Sequence, residues 1–127
     1  VRDGYCVPPA NPIPPVMVAG LGPVSARNAA RVGDGWNSEG PKIWHGGGAN
    51  PKFYRLKEIV LKELERVGRP RESFEFSTQE DFDEDFRRAP IERLSQVEKE
   101  GIDRVILDVY PPFDASAIAS AGKAIYG

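Results

Sequence analysis

The apolar run Val-Met-Val-Ala at residues 16–19 constrains the fold more than any other feature, because it lies between Pro15 and Gly20. A short, continuously apolar run bounded by a proline and a glycine is typical of a strand that is buried on both faces of a sheet. The motif that follows, Gly20-Leu21-Gly22-Pro23, predicts a tight turn with its proline at the first position of a helix. The segment is therefore predicted to be one strand–turn–helix unit.

Further units of the same kind follow along the chain. Apolar residues at three- and four-residue spacing predict an amphipathic helix over residues 51–67, with Asn50 as its N-cap. A short strand is predicted at residues 36–37, a weak one at 73–77, and the clearest one at 103–109, which is rich in β-branched residues. With two more helices near the C-terminus, the predicted order is strand, helix, strand, helix, weak strand, helix, strand, helix.

This alternation predicts an α/β fold with a parallel sheet, covered by helices and joined by right-handed crossovers. Residues 16–19 and 104–109 are expected to belong to that one sheet. Residues 1–15 form a Pro-rich irregular segment, because proline fixes φ and removes a backbone donor. The folded unit is therefore expected to cover residues 16–127, with the acidic run at residues 80–85 on a solvated face.

Composition excludes several classes of function. The formal net charge is -2 and no basic run is present, so we expect no nucleic-acid partner. No apolar run approaches the length of a membrane span, so we expect no membrane partner either. The single cysteine, Cys6, allows no intrachain disulfide, which fits a reducing, cytoplasmic location. His45 is the only histidine and has no carboxylate at ligand spacing, so no metal site is expected.

The Gly20-Leu21-Gly22-Pro23 turn is the strongest local signal of a binding site. Glycines permit a tight turn and the close approach of a ligand to the backbone. The helix that follows offers unpaired amides and a partial positive charge, which favour an anion such as a phosphate. The residues alone leave two interpretations open, a phosphate-binding turn and a turn that uses glycine only to reverse the chain.

Two longer motifs carry a family resemblance. They are Pro-Pro-Val-Met-Val-Ala-Gly-Leu-Gly-Pro at residues 14–23 and Ala-Arg-Asn-Ala-Ala-Arg-Val-Gly-Asp-Gly-Trp-Asn at residues 26–37. Together they resemble the luciferase-like monooxygenase family, in which Gly-Gly-x-Gly-Pro precedes a helix with Ala-Ala-Arg and an Asp-Gly-Trp ending. Gly-Arg-Pro at 68–70 and Glu-Gly-Ile-Asp at 100–103 are similar as well. Ala19 departs from the pattern, and its methyl group is expected to narrow the approach of a ligand.

The resemblance implies a partial (β/α)₈ TIM-type barrel, consisting of the C-terminal strands and helices only. A full barrel takes roughly 200 residues or more, whereas this chain has 127 and begins at Val1. The family binds FMN or a deazaflavin coenzyme, and the resemblance implies coenzyme contacts from Gly20, Leu21, Gly22, Pro23 and Trp36. The N-terminal strands, which carry most contacts to substrate and flavin ring, are expected to be missing. No catalytic residue is therefore assigned.

Several other residues have a functional and a structural interpretation. In a barrel, residues 36–38 and 108–110 are expected to point toward the site, because active sites lie at the carboxyl ends of the strands. Trp36 contacts the coenzyme or packs at the barrel top, and Asp34 acts as a base or holds the adjacent turn. Asp108 either serves the site or accepts a hydrogen bond from a neighbouring loop, and Tyr110 either serves the site or lies at the surface.

The glycine-rich loop at residues 38–50 is expected to be mobile and lid-like at the barrel mouth. His45 within it either reaches substrate or is an exposed loop residue.

The function expected from these features is that of a flavin- or deazaflavin-dependent oxidoreductase or monooxygenase, inactive as this part alone. Its partners would be the coenzyme and a small-molecule substrate. Self-association, or pairing with a missing N-terminal half, is expected because an open parallel sheet leaves edges and one face uncovered. The residues expected to be partly exposed for this reason are Val16, Val18, Val105, Leu107 and Val109. The alternatives are a non-catalytic part-barrel that pairs with another chain, and an unrelated α/β phosphate-binding domain.

Overall fold

The structure is a computed structural model that describes residues 11–42 and 48–127. Within these residues it contains a four-stranded sheet, five α-helices and one 3-10 turn at Arg71–Ser73. In chain order the elements are β1 (Met17–Ala19), α1 (Pro23–Val32), β2 (Gly35–Ser38), α2 (Pro51–Arg66), β3 (Glu75–Asp81), α3 (Glu84–Arg88), α4 (Pro90–Lys99), β4 (Arg104–Asp108) and α5 (Ala115–Tyr126).

The four strands are parallel, and their order across the sheet is β1-β2-β3-β4, the same as their order in the chain. The predicted α/β fold with a parallel sheet is confirmed. The first and last strands belong to one sheet, as predicted, and they form its two edges. The register aligns Val18 with Trp36 and Trp36 with Phe76, so one row of large side chains crosses β1, β2 and β3.

One hydrophobic core lies between the sheet and the helices α1, α2 and α4. Helix α1 contributes three buried alanines, which allow it to approach closely, and α2 contributes residues at three- and four-residue spacing. From the sheet come Val18, Trp36, Phe76 and Val105, which alternate with residues of the opposite face. The buried core residues are Ala26, Ala29, Ala30, Trp36, Phe53, Leu56, Val60, Leu64, Phe74, Phe76, Val97 and Ile102.

The opposite face of the sheet is mainly polar and only partly exposed to solvent. Asn37 Nδ2 donates to Ser77 Oγ at 2.9 Å, and Arg104 pairs with Glu75 at 2.8 Å. Ile106 is 42% exposed on this side. The expectation that the run at residues 16–19 is buried on both faces is therefore wrong, because only the helix-facing side of β1 packs against a core.

The five residues expected to be partly exposed occupy different environments. Val16 is exposed just before β1, whereas Val18 and Val105 are half-buried against the core on the helix side. Leu107 and Val109 are also half-buried. On the opposite face of the sheet, Ile106 of β4 is an exposed apolar side chain that was not predicted to be so.

Two elements differ from the sequence prediction in the charged stretch at residues 79–88. Strand β3 continues to Asp81, well beyond the expected end, and a short helix α3 follows with Asp83 as its N-cap. Glu80 is buried and pairs with Arg93 of α4 at 2.6 Å. The prediction of a solvated acidic face is therefore wrong at Glu80, because an arginine from a later helix neutralises its charge in place of water.

Glu63 joins the two helices that cover β1 and β2. Its Oε1 accepts from Arg31 of α1 at 2.5 Å and from Arg66 at 2.7 Å, and its side chain is only 9% exposed. The hydrogen bond from Arg66, followed by the one from Arg31, lowers the pKa of the Glu63 carboxyl from 4.5 to about 2. The charged form is therefore the one that stabilises the contact between the helices.

A carboxyl whose pKa is lower in the folded state contributes stability above its unfolded pKa and loses it as the pH falls through its folded pKa. We therefore expect the free energy of unfolding to fall between about pH 4.5 and pH 2. Glu63→Gln should remove this component, so that wild type and variant differ most near neutral pH and converge toward pH 2. Urea unfolding at a series of pH values measures the difference. Glu65→Gln, which removes an exposed carboxylate from the same helix, is the control, and a pH-independent difference for Glu63→Gln contradicts the assignment.

Candidate functional site

A cleft of about 750 Å³ lies at the carboxyl ends of β1, β2 and β3. This is the end of a parallel sheet at which ligands bind in α/β proteins. Its volume falls within the range of known small-molecule sites, roughly 300–1,000 Å³. The lining residues are Ala19, Gly20, Leu21, Asn37, Ser38, Glu39, Lys42, Asn50 and Gln79.

The Gly20-Leu21-Gly22-Pro23 turn forms one wall of this cleft and then begins α1. Gly20 and Leu21 line the cleft, with Leu21 exposed, while Gly22 is the N-cap residue and Pro23 is the first helical residue. Of the four residues implied for coenzyme binding in this turn, the structure thus brings two into the cleft. The other two are next to it at the helix N-terminus.

The two glycines of the turn have different roles. Gly20 has a φ of 157°, and a Cβ there would lie 2.4 Å from Ser25 Oγ, so the position requires glycine. A Cβ on Gly22 would meet no atom within 4 Å. Ser25 Oγ accepts from the Gly22 amide at 3.3 Å and donates to the Gly22 carbonyl at 2.8 Å, which fixes the start of the helix. The space beside Gly22 is therefore open, and only Gly20 is constrained by its own neighbours.

The second half of the Asp-Gly-Trp motif lies in the core, because Trp36 is fully buried on the helix side of β2. Its ring stacks on Phe53 at a centroid distance of 6.1 Å and meets the edge of Phe76 at 6.0 Å. Its Nε1 donates to the Gly20 carbonyl at 3.1 Å. Trp36 therefore packs in the core and holds the Gly20 end of the turn in place, and its implied contact with a coenzyme stays a prediction.

The first half of the same motif lies at the other end of the sheet. Asp34 Oδ2 accepts from the Val16 amide at 2.7 Å, and the Asp34 amide donates to the Val16 carbonyl at 2.7 Å. A Cβ on Gly35 would lie 2.5 Å from the Met17 side chain and 2.6 Å from the Glu75 carbonyl, so glycine is required. Asp34 therefore joins β1 to β2 at their amino ends, and the alternative in which it acts as a base at the site is not supported by its position.

Polar side chains from three separate segments complete the cleft. Asn37 lies in β2, Gln79 lies in β3, and Lys42 follows β2 in the glycine-rich loop. The sequence predicts that residues 36–38 lie near the site but does not single out Gln79 or Lys42. The length of β3 is the signal that identifies Gln79, since a strand that continues to Asp81 carries residue 79 two positions beyond Ser77, the register partner of Asn37.

Asn50 combines the predicted capping role with a place in the cleft wall. Its Oδ1 accepts from the Phe53 amide at 3.3 Å, which confirms it as the N-cap of α2. Its Nδ2 donates to the Gly40 carbonyl at 3.0 Å. The described ends of the loop meet through a bridge between Lys42 and Ala49.

Some predicted features lie outside the described residues. His45 and the centre of the glycine-rich loop fall in residues 43–47, and Cys6 falls in residues 1–10. The prediction of a mobile lid concerns the same loop and stays a prediction.

Asp108 is the last residue of β4, and Tyr110 follows two positions later. Asp108 is aligned with Asp81 across β3 and β4, and its carbonyl accepts from the Phe82 amide at 2.9 Å. Desolvation, the negative charges of Asp108 and Asp81, and a hydrogen bond with Asp81 raise the pKa of the Tyr110 hydroxyl. The cleft is not lined by Asp81, Asp108 or Tyr110, although all three lie at the carboxyl end of the sheet.

Two further findings concern the described part of the chain. It holds no group of three or more histidine, cysteine, aspartate or glutamate side chains placed to bind a metal ion. None of its helices combines the length and apolar character needed to cross a membrane.

Comparison with known proteins assigns no family, since no protein-family model matches the sequence and no curated protein is significantly similar to it.

Proposed function

We propose that this chain is the coenzyme-binding part of a flavin- or deazaflavin-dependent oxidoreductase of the luciferase-like type, acting in the cytoplasm. The observation that carries the proposal is the cleft at the carboxyl ends of three parallel strands, bounded by the Gly20-Leu21-Gly22-Pro23 turn. The turn leads directly into α1, whose first amides have no partner within the helix. That arrangement favours a phosphate-bearing ligand.

The sheet topology supports a partial (β/α)₈ barrel. In such a barrel, consecutive strands are neighbours, the helices lie outside, and side chains fill the interior. The four strands follow this order, and the core with the helices lies on one side of them. The opposite face, with Asn37, Ser77, Glu75 and Arg104, corresponds to the barrel interior under this proposal.

The residues present fit the coenzyme on two grounds. The cleft is large enough for a small-molecule ligand, and the open space beside Gly22 leaves room for a phosphate near the helix N-terminus. Gly20, Leu21, Gly22 and Pro23 would hold the phosphate end, and Asn37 and Gln79 would offer hydrogen bonds deeper in the cleft. When bound, the coenzyme supplies hydride transfer, or oxygen insertion in the case of FMN. The protein's contribution is to bind and orient the coenzyme and a small-molecule substrate.

Coenzyme binding by the full chain tests this proposal. FMN and a deazaflavin coenzyme are each titrated with the protein, and quenching of their fluorescence is followed. Saturable binding of either supports the proposal. Absence of binding to both, by a protein whose circular dichroism shows that it is folded, overturns it.

A second candidate function is that of a non-catalytic part-barrel that pairs with another chain. The observation in its favour is the open sheet face, where Ile106 is 42% exposed and both edge strands lack a second neighbour in the described sheet. A parallel sheet with one face open is unusual, since such sheets occur almost only with both faces covered.

Association of the chain follows from either candidate. Burial of one Val or Leu side chain contributes roughly 1.5–3 kcal/mol, and the exposed Val16 and Ile106 are available for it. We therefore expect a dimer or larger species at micromolar concentration in sedimentation velocity experiments. Ile106→Lys should shift the population toward monomer, whereas Ile118→Lys, on the exposed side of α5, should not. A monomeric wild-type protein with a cooperative thermal transition contradicts the expectation.

A further inference from the structure

Strand β4 pairs only with β3, and its other edge carries no strand within the described residues. The edge strand at the far side of the sheet, β1, has three residues and follows Pro14 and Pro15, which have no amide donor. Strand β4 has five residues and no proline. The β4 edge is therefore the better template for a further strand.

The backbone of β4 shows which of its groups are available at that edge. The Asp108 carbonyl accepts from the Phe82 amide at 2.9 Å and so points toward β3. Backbone groups of successive residues in a strand point to opposite edges, so those of Val105 and Leu107 point to the free edge. An antiparallel strand in the matching register would pair with both residues.

The side chains of β4 are arranged symmetrically about Ile106. Arg104 and Asp108 lie two positions before and two positions after it, and all three lie on the face of the sheet opposite the core. If two copies of β4 run antiparallel with Ile106 opposite Ile106, Arg104 of each copy lies opposite Asp108 of the other. The strand is therefore complementary in charge to itself.

The charges at the two ends of β4 are available for such a contact. Asp108 is aligned with the acidic Asp81, and no basic side chain in the described part of the chain lies within 4.0 Å of the Asp108 carboxylate. Arg104 pairs with Glu75, yet its side chain is 58% exposed. An arginine has five N–H donors, so this pair leaves donors for a second carboxylate.

Apolar surface lies along β4 on both faces of the sheet. On the helix side, Val105 and Leu107 line a groove of about 670 Å³ together with Ile91 and Leu94 of α4. In the antiparallel register, Leu107 of a second copy would lie opposite Val105 beside this groove. On the other face, the exposed Ile106 would contact Ile106 of the second copy.

We propose that two copies of this chain associate by antiparallel pairing of β4 with β4, about a two-fold axis at Ile106. A two-fold interface of this kind uses the same surface on both copies. The proposal goes beyond the association expected above because it fixes the edge, the strand direction and the register. It does not involve the coenzyme, so its failure and the failure of the proposed function are separate results.

A cross-link tests the register in the full chain carrying Cys6→Ser. Ile106→Cys places two thiols in a non-hydrogen-bonded antiparallel pair, whose Cα atoms are about 4.5 Å apart and within reach of a disulfide. Arg104→Cys is the matched control, because its two copies would lie four positions apart along the strands, about 14 Å. Under mild oxidation, we expect a disulfide-linked dimer on a non-reducing gel for Ile106→Cys and none for Arg104→Cys.

Charge reversal tests the pairing without a cross-link. Arg104→Asp and Asp108→Arg each place like charges opposite one another, so either should raise the dissociation constant of the dimer about tenfold in sedimentation equilibrium. The double variant restores opposite charges in the reverse order and should return the constant to near the wild-type value. Circular dichroism checks that each variant is folded, since Arg104 also pairs with Glu75.

Three results would overturn the proposal. The first is a wild-type chain that stays monomeric at micromolar concentration. The second is association in which Ile106→Cys cross-links no better than Arg104→Cys, which would place another surface, such as the β1 edge, at the interface. The third is a folded double variant that associates no more tightly than the single variants.

Discussion

Replacing Trp36 with alanine is expected to destabilise the fold by about 3–5 kcal/mol, the range for removal of a large buried aromatic side chain. The ring is fully buried and contacts both Phe53 and Phe76. Its loss leaves a cavity between the sheet and α2 and removes the hydrogen bond to the Gly20 carbonyl. A domain with a total stability of 5–15 kcal/mol would lose a large fraction of it.

Urea unfolding followed by far-UV circular dichroism measures this change without relying on tryptophan fluorescence. Trp36→Phe is the matched variant, since it keeps an aromatic ring and removes the indole N–H, and we expect it to cost about 1–3 kcal/mol. It also keeps the test usable if the alanine variant does not fold. A loss below about 1 kcal/mol in Trp36→Ala would show that the ring does not hold the core together.

Gly22→Val is expected to weaken coenzyme binding by about tenfold or more, equivalent to at least about 1.4 kcal/mol. The stability of the free protein should change little, because the residue has φ −134° and ψ 161° and a Cβ there meets no atom within 4 Å. Valine adopts this extended conformation readily. The added side chain would instead occupy the space proposed for the phosphate.

Calorimetric titration with the coenzyme and thermal unfolding of the free protein are measured together. Gly122→Val, in α5, is the control, because its Cβ also meets no atom within 4 Å and it does not line the cleft. Lost stability with unchanged affinity in Gly22→Val would reduce the turn to a structural role. Gly20 is unsuitable for this test, since any side chain there collides with Ser25.

Much of the fold follows from local features of the sequence. Pro15 and Gly20 delimit β1, Pro23 marks the start of α1, and Asn50 with Pro51 marks the start of α2. These residues act through their own backbone conformations or through capping of a helix a few positions away, so a single sequence is sufficient to predict their effect.

The faces of the strands and part of the site depend on residues that are distant in the chain. The run at residues 16–19 is apolar on both sides, so it does not show which side meets the helices. Glu80 is buried because Arg93 reaches it from α4, and nothing in the charged run itself indicates that pairing. Lys42 and Gln79 line the same cleft because β2 and β3 are neighbours in the sheet, which the sequence near either residue does not indicate.

The agreement between strand order and chain order has a consequence for how the protein acquires its structure. Each sheet pairing joins two units that are consecutive in sequence, so no strand has to wait for a distant one before it can add to the sheet. The entropy lost on closing each intervening loop is correspondingly small. Trp36, Phe53 and Phe76 belong to the central pair of strands and the helix between them. That unit is able to condense first and to present two growing edges to the units on either side, which is an order of assembly suited to a chain emerging during synthesis.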